Sequence, residues 1–473
     1  MDLCYNPRMP RTITERSFFR YLKCPHWVYF DAHGDVPKPH DPLMQALQDE
    51  GLLEEHHRAW LSKRQDVAEV TAEDEEEAFF QTLAFMRAGR QTIYRGVLID
   101  GHWIGHPDML ERVEGKSKLG DYFYVAADMK RARALKDEFM FQGCFYAELL
   151  QKIQGTKPVQ GYVITPDQEV LSYVISAFEG EYALTLDGIE RIVAGETPAH
   201  FLTSGCKQSP WFDTCRSLSE SCGDLSVLNR VWKEEVARLG SIGVRTVAEL
   251  AKMAPRDLAH RLPEANPERL ETLRDQALAL TENRHIIRGR IEFKKTKTEL
   301  YFDIESNPLR DHDYLFGVLE VTGAEETYHA FFAGTKEEEK EMWEKFCAFM
   351  EGHPDAPVYH YGRFEADVLH RFDHRFGCTP AVRSAFANNL VDVLGLIRPN
   401  VLFPLSFYSL KDIAAHIGFH WRADDAGGAN SVLWFEAWLR DRNQKQLDKI
   451  VAYNEDDVRA TLAVVKWLKA NAT

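Results

Sequence analysis

The rhythm of apolar and polar positions changes twice along the chain, dividing it into three stretches. Up to about residue 225, helical patterns mix with short strands, among them GVLIDGHWIGHPDMLERVE and DYFYVAADMK. A long amphipathic segment, DEFMFQGCFYAELLQKIQG, follows them. From about 226 to 295 the chain is helical and charged. In LGSIGVRTVAEL the apolar Leu239, Ile242, Val244 and Val247, with Gly240 and Gly243, predict two short helices joined by a glycine-containing hairpin. From about 296 strand signals return in ELYFDIES, YLFGVLEV and ETYHAFFAG, and helices then alternate with one more strand, APVYHYG. The pattern predicts an α/β multidomain protein with domains at 1–225, 226–295 and 296–473. The acidic run Glu73 to Glu77 reads as a solvated helix face or loop.

Length agrees with several domains, because 473 residues exceed the size at which one hydrophobic core stops growing. With 45% apolar and 27% charged residues the composition excludes a fibrous or largely disordered chain. No run approaches the roughly 18 apolar residues of a membrane helix. The opening MDLCYNPRMPRTITERSFFRYLKCP lacks the apolar core of a signal peptide. A soluble, cytoplasmic protein with no membrane partner is expected. The net charge of −16 argues against sequence-independent coating of DNA. It leaves room for an enzyme that grips phosphates through metal ions. The eight cysteines contain no C-x2-C pair, and a disulfide framework is not expected in a cytosolic chain. Cys206, Cys215 and Cys222 cluster, with Cys24 as a distant candidate partner.

The candidate chemistry of the last stretch begins in ELYFDIES. Asp303 and Glu305, two apart on a strand, point to one face. Two like charges there call for a cation such as Mg²⁺ or Mn²⁺ between them. VYHYGRFEADVL adds Glu365 at the opening of a helix, LVDVLGLI puts Asp392 on a later helix, and AYNEDDVRATLAVV places Tyr453 and Asp457 one turn apart. Four carboxylates with a tyrosine suit two-metal phosphodiester hydrolysis. This set resembles the DEDD 3′–5′ exonucleases of the RNase H-like fold, in their tyrosine subclass. It is closer still to the YprB-type RNase H-like domain, over residues 296–468. The resemblance makes Asp303, Glu305, Glu365, Tyr453 and Asp457 catalytic, with Asp303, Glu305 and Asp457 holding metal. Glu365 departs from the usual Asp, and Asp392 is left as structural or supporting.

The first stretch carries a second constellation. IGHPDML places Asp108 after a strand-ending glycine, and VAADMKRA puts Asp128 and Lys130 on one face of a following strand. Such carboxylates hold Mg²⁺ while the lysine acts on the reacting water. Gln142 and Tyr146 share a helical face, and EGLLEEHHRAWL carries Gly51, Glu55, His56 and His57. Together they resemble the RecB branch of the PD-(D/E)XK nucleases, a restriction-endonuclease-like fold. On that resemblance Asp108, Asp128 and Lys130 are catalytic, and Asp108, Asp128 and Glu55 bind metal. Gln142 and Tyr146 form the supporting motif, and His56 and His57 are alternatives to Glu55. Some members of the branch hold a [4Fe–4S] cluster. YLKCPHWVY supplies Cys24 for one, and Cys206, Cys215 and Cys222 would complete a Cys4 set, with Ser209 standing where the middle cysteine belongs. The alternative is a lost cluster and ordinary buried thiols.

The middle stretch is similar to a helix-hairpin-helix. There the amides around Gly240, Gly243 and Arg245 bind a phosphate without sequence preference. A plain helical hairpin is the alternative. The basic Arg288, Arg290, Lys294, Lys295 and Lys297 read either as a nucleic-acid track or as a linker. The arrangement implies a metal-dependent nuclease acting on nucleic acid, DNA with a single-stranded end by resemblance. It has a 3′–5′ exonuclease site in the last domain and a PD-(D/E)XK site in the first. The rivals are a catalytically silent nucleic-acid-binding or scaffolding protein of nuclease descent, and an RNA-processing exonuclease.

Overall fold

The computed structural model describes residues 12–34, 54–130, 134–423 and 428–473. The chain forms two compact units, the first ending at Cys215 and the second running from Arg216 to Thr473. No helix among the described residues is long and apolar enough to cross a membrane.

The first unit contains two sheets. A small one orders β1 (Ile13–Thr14), β5 (Trp103–Gly105) and β4 (Leu98–Asp100) side by side. The larger has the order β2-β3-β6-β7-β8-β9. Its strands are β2 (Val67–Glu69), β3 (Thr92–Tyr94), β6 (Met109–Ser117), β7 (Gly120–Met129), β8 (Gln160–Ile164) and β9 (Val170–Val174). The helices are α1 (Glu15–Lys23), α2 (Pro25–His33), α3 (Glu54–Leu61), α4 (Glu75–Arg87), α5 (Asp137–Gln154) and α6 (Glu179–Val193), and α7 (Phe212–Cys222) runs across the boundary between the units. β7 and β8 are parallel, so a crossover must join them, and α5 is that crossover. It buries Phe141, Cys144, Phe145 and Leu149 in the core and is closed by Gly155 in the left-handed region. The acidic run has a local reason. Asp74 caps α4 by accepting from the Glu76 and Glu77 amides, and Glu75–Glu77 occupy the first turn, where the helix dipole favours negative charge.

The second unit opens with four helices, α8 (Lys233–Ser241), α9 (Val247–Lys252), α10 (Pro255–Arg261) and α11 (Pro267–Glu282). A two-residue strand β10 (Ile286–Ile287) leads on to a five-stranded sheet of order β13-β12-β11-β14-β15. β11 (Thr298–Asn307), β12 (His312–Thr322) and β13 (Glu325–Phe332) are antiparallel. β14 (Val358–His360) and β15 (Leu390–Asp392) join β11 in parallel. Helices α12 (Glu339–Glu351), α13 (Phe364–Phe376), α14 (Pro380–Asn389), α15 (Val393–Asn400), α16 (Leu410–His416), α17 (Gly428–Asp441) and α18 (Gln444–Asn471) complete the unit. A last short strand, β16 (Val401–Leu402), pairs with β10.

Alternation along β11 sorts its side chains between two cores. Leu300, Phe302 and Ile304 pack with Phe316, Trp343 and Phe346 on one face. Tyr301 joins the opposite core, with Val458 and Val465 of α18. Asp303 and Glu305 continue the Tyr301 parity, so both carboxylates face the long last helix. The strand signals in 299–334 thus mark a hairpin pair around the central strand.

Candidate active site

Asp303, Glu305 and Asp457 bring carboxylate oxygens within 4.8 Å of one another, and among the described residues no other Asp, Glu, His or Cys group does so. Asp303 and Glu305 come from β11, Asp457 from α18. Glu305 and Asp457 are buried. Burial first, then repulsion from Asp457, Glu305 and Glu365, raises the Asp303 carboxyl well above the usual carboxylate range. Burial and Asp457 push Glu305 up to about 8. Asp457 is raised by burial, against hydrogen bonds from Trp421 and Tyr453 that lower it.

A polar frame holds the three in place. Asn454, fully buried, donates from Nδ2 to Asp303 Oδ2 at 2.8 Å and to Glu305 Oε1 at 3.3 Å. Its own Oδ1 accepts from the Tyr328 hydroxyl at 2.8 Å. Space for that amide depends on Gly317, which pairs with Asp303 across β11 and β12. A Cβ at 317 would lie 1.6 Å from Asn454 Oδ1. Trp421 Nε1 donates to Asp457 Oδ1 at 2.6 Å. Ser431 hydrogen-bonds Glu305 and also the Tyr314 hydroxyl, at 2.6 Å. The Lys411 ammonium lies 5.0 Å from the Tyr453 ring centre, and burial lowers its pKa against the pull of the carboxylates.

The other expected residues lie at different removes. Tyr453 hydrogen-bonds Asp457, and burial with the neighbouring carboxylates holds its phenol far above the usual range. Glu365, buried in the first turn of α13, stands close enough to repel Asp303. Its Oε2 is 3.6 Å from His360 Nδ1. Asp392 ends strand β15 rather than sitting within a helix, and at the N-terminal boundary of α15 its Oδ1 accepts from the Gly362 amide at 2.9 Å. Asn454, Trp421, Ser431 and Lys411 were not singled out in the sequence. Only Asn454 had a local signal, as the neighbour of Tyr453 in AYNEDD.

In the first unit, Asp108 precedes β6 and Asp128 ends β7, side by side. The Asp108 amide donates to Asp128 Oδ1 at 3.1 Å, and Asp108 Oδ2 accepts from the Met129 amide at 2.7 Å. Lys130 Nζ meets Asp128 Oδ2 at 2.8 Å. Burial pulls the Lys130 ammonium down, and the carboxylates of Asp128 and Asp108 more than offset it, so its pKa stands above the usual value. Of the upstream candidates, His57 is brought to the pair, with Nε2 3.6 Å from Asp108 Oδ2 and Nδ1 3.0 Å from the Tyr94 hydroxyl. The Gly51 and Glu55 side-chain positions lie outside the described residues. Gln142 donates to the Glu15 carbonyl and Tyr146 to the His106 carbonyl, both at 3.3 Å. The Tyr146 bond steadies the backbone that leads to Asp108. Gly105 is needed for that packing, since a Cβ there would lie 2.9 Å from Leu149.

Cys24 and Cys206 touch, Sγ to Sγ 3.8 Å. The Cys206 thiol, bonded to Cys24 and to the Thr203 amide, is the easier to ionise, at about 6. Cys215 is buried nearby and raised to about 12 by that burial. Ser209 accepts from the Trp211 amide, and Cys222 is exposed with its thiol donating to the Leu218 carbonyl at 2.7 Å. Cys24, Cys206 and Cys215 come together, one thiol short of the four that a [4Fe–4S] cluster takes, and the fit is incomplete.

The hairpin between α8 and α9 turns at Gly243, φ +80°. Its amides are already engaged: Glu249 Oε2 accepts from Arg245 N at 2.7 Å and Thr246 N at 3.0 Å. Lys294 donates to the Asp355 carbonyl and to Asn389 Oδ1, and Arg288 pairs with Asp275. Part of the basic stretch thus pins the helices and strands of the second unit together.

The sheet order, with a D-x-E central strand facing a Y-x3-D helix, defines an RNase H-like domain. Residues 300–469 match the RNase_H_2 family model of the RNase H superfamily, about a third of the chain. No curated protein matches the chain.

Proposed function

We propose that the second unit is a metal-dependent nuclease that removes nucleotides from 3′ ends of nucleic acid, DNA by resemblance to the tyrosine-subclass DEDD exonucleases. The convergence of Asp303, Glu305 and Asp457 carries the reading. Three carboxylates repelling one another, two of them buried, form an all-oxygen donor set that suits a hard divalent cation such as Mg²⁺ or Mn²⁺. Such a cation, when bound, supplies charge stabilisation and a nucleophile at neutral pH. The chain's own residues do the rest. Asn454 fixes the relative position of Asp303 and Glu305. Tyr453 keeps its proton, because burial and the carboxylates raise its pKa, so it acts as a hydrogen-bond donor that orients water rather than as a base. Lys411 sets a positive charge beside the site, which favours the approach of a phosphate.

The first unit is proposed as a second, PD-(D/E)XK-type site, in which Asp108 and Asp128 bind the cation and Lys130 acts on the reacting water. The adjacency of Asp108 and Asp128 with Lys130 and His57 supports this. Incubation of the full chain with single-stranded DNA or RNA, in Mg²⁺, Mn²⁺ or EDTA, tests both. Shortened products in the metals and none in EDTA are expected. An intact substrate under every condition would favour the silent binding protein.

A further inference from the structure

The second unit has a cleft of about 230 Å³ outside the carboxylate centre. Its wall joins the turn before α8, helix α11, the end of α15 and the loop before α16. Arg230, Arg269 and Arg398 line it, and no carboxylate residue does, in a chain of net charge −16. Arg269 is committed to the wall, forking onto Glu235 at 2.7 and 2.8 Å. Arg230 and Arg398 are exposed, and neither forms an ion pair with a described residue. Arg230 holds a left-handed backbone, φ +56°, which a non-glycine residue rarely adopts. At the rim Trp232 is 61% exposed, unusual for so large an apolar ring. Deeper in the wall, Gln276 is 7% exposed and its Oε1 has no hydrogen-bond partner among the described residues.

We propose that this cleft is a subsite for single-stranded nucleic acid. A base stacks on Trp232, and Arg230 and Arg398 hold the flanking phosphates. The guanidinium fork matches a phosphate's oxygens, and an aromatic face accepts any base, so the grip is tolerant of sequence. Gln276 offers the buried acceptor that a base or sugar donor satisfies. The position fits one continuous strand. Tyr408, which lines the cleft, precedes Lys411 by three residues, a reach of at most ~11 Å of backbone. The cleft therefore lies within a few nucleotides' span of the carboxylates. The inference rests on reading the second unit as a nuclease and concerns how its substrate is gripped.

Binding of short 5′-fluorescein-labelled oligo(dT) and oligo(U) to the full chain in EDTA, where no cutting is expected, tests it across a salt series. Arg230→Ala/Arg398→Ala should weaken at least one oligonucleotide by tenfold or more. It should also flatten the slope of log affinity against log salt by about 1.4, since each phosphate contact on a single strand contributes roughly 0.7. Trp232→Ala should weaken binding about tenfold with the slope unchanged. Arg230→Lys/Arg398→Lys, which keeps both charges, should retain the slope and serves as the second reading if the alanine pair misfolds. The two arms tell DNA from RNA. Parent chain that binds neither strand, or alanine and tryptophan variants that bind both as the parent does, would overturn the proposal. Cutting by the parent with binding unaffected in the variants would leave the nuclease and remove the cleft. Impaired binding in the variants with no cutting by the parent would do the reverse.

Discussion

Replacing Glu305 by glutamine removes one ionisable group from the carboxylate cluster with little change of shape. The glutamine keeps an acceptor for Asn454 Nδ2. In the metal-free chain the Glu305 carboxyl titrates near 8 rather than at 4.5, through burial first and Asp457 second. A carboxyl with its folded pKa above its unfolded one binds its proton more tightly in the folded chain. The stability that Glu305 contributes to the metal-free fold is therefore fully present below about pH 4.5 and is lost as pH rises toward 8. At pH 7 the loss covers the interval from 4.5 to 7 at 1.36 kcal/mol per unit, about 3 kcal/mol. At pH 5 it falls below about 1 kcal/mol. Scanning calorimetry of the full chain in EDTA reads this directly. Glu305→Gln should raise the transition of the second unit by roughly 5–10 °C at pH 7 and by far less at pH 5. Mg²⁺ should narrow or invert the gap, because it stabilises the wild type by mass action. A variant melting at or below the wild type at pH 7 in EDTA, or a gap that does not shrink at pH 5, would refute the electrostatic reasoning.

Three further outcomes follow from the same geometry. Gly317→Ala should drive the Asn454 amide off Asp303 and Glu305, at a cost of about 0.5–1.5 kcal/mol for each hydrogen bond lost; Asn454→Ala on top should recover part of it, and simple additivity in denaturant unfolding would contradict the contact. Lys130→Ala should abolish cutting by the first unit while leaving oligonucleotide binding near the parent's, and unchanged cutting in an Asp303→Asn background would reduce that unit to a binding module. Titration of Mn²⁺ into the chain at pH 7 should release protons, since Glu305, pushed up to about 8, holds its proton in the metal-free site and the cation displaces it. Identical heats in buffers of different ionisation enthalpy would contradict this.

What was legible in the sequence was what a local period governs. The two-residue spacing of Asp303 and Glu305 needs only the pleat of a strand, and the four-residue spacing of Tyr453 and Asp457 only a helical turn. Both were read without knowledge of the fold. Asp392 was misplaced because LVDVLGLI is one apolar run, in which a three-residue parallel strand passes into a helix with no break in composition. Trp421, Lys411 and Ser431 reach the carboxylates from three separate segments, and no spacing rule links 411, 421 or 431 to 457. Asn454 acquires meaning only with Gly317 opposite Asp303, a register the sequence does not print. The hairpin shows the converse. Thr246-x-x-Glu249 is a readable capping box, and its carboxylate occupies amides that the glycine pattern alone assigns to a phosphate.

The central claim is that Asp303, Glu305 and Asp457 form a cation site that shortens strands from the 3′ end. Single-stranded DNA and RNA labelled at either end should be digested with Mn²⁺ by Lys130→Ala chain, in which the first site is disabled, and by the Lys130→Ala/Asp303→Asn double variant. The account predicts early release of the 3′ label as mononucleotide and a descending ladder on the 5′-labelled strand. It predicts loss of both by orders of magnitude when Asp303 is replaced. Equal digestion by the two chains, or release of the 5′ label first, would contradict it.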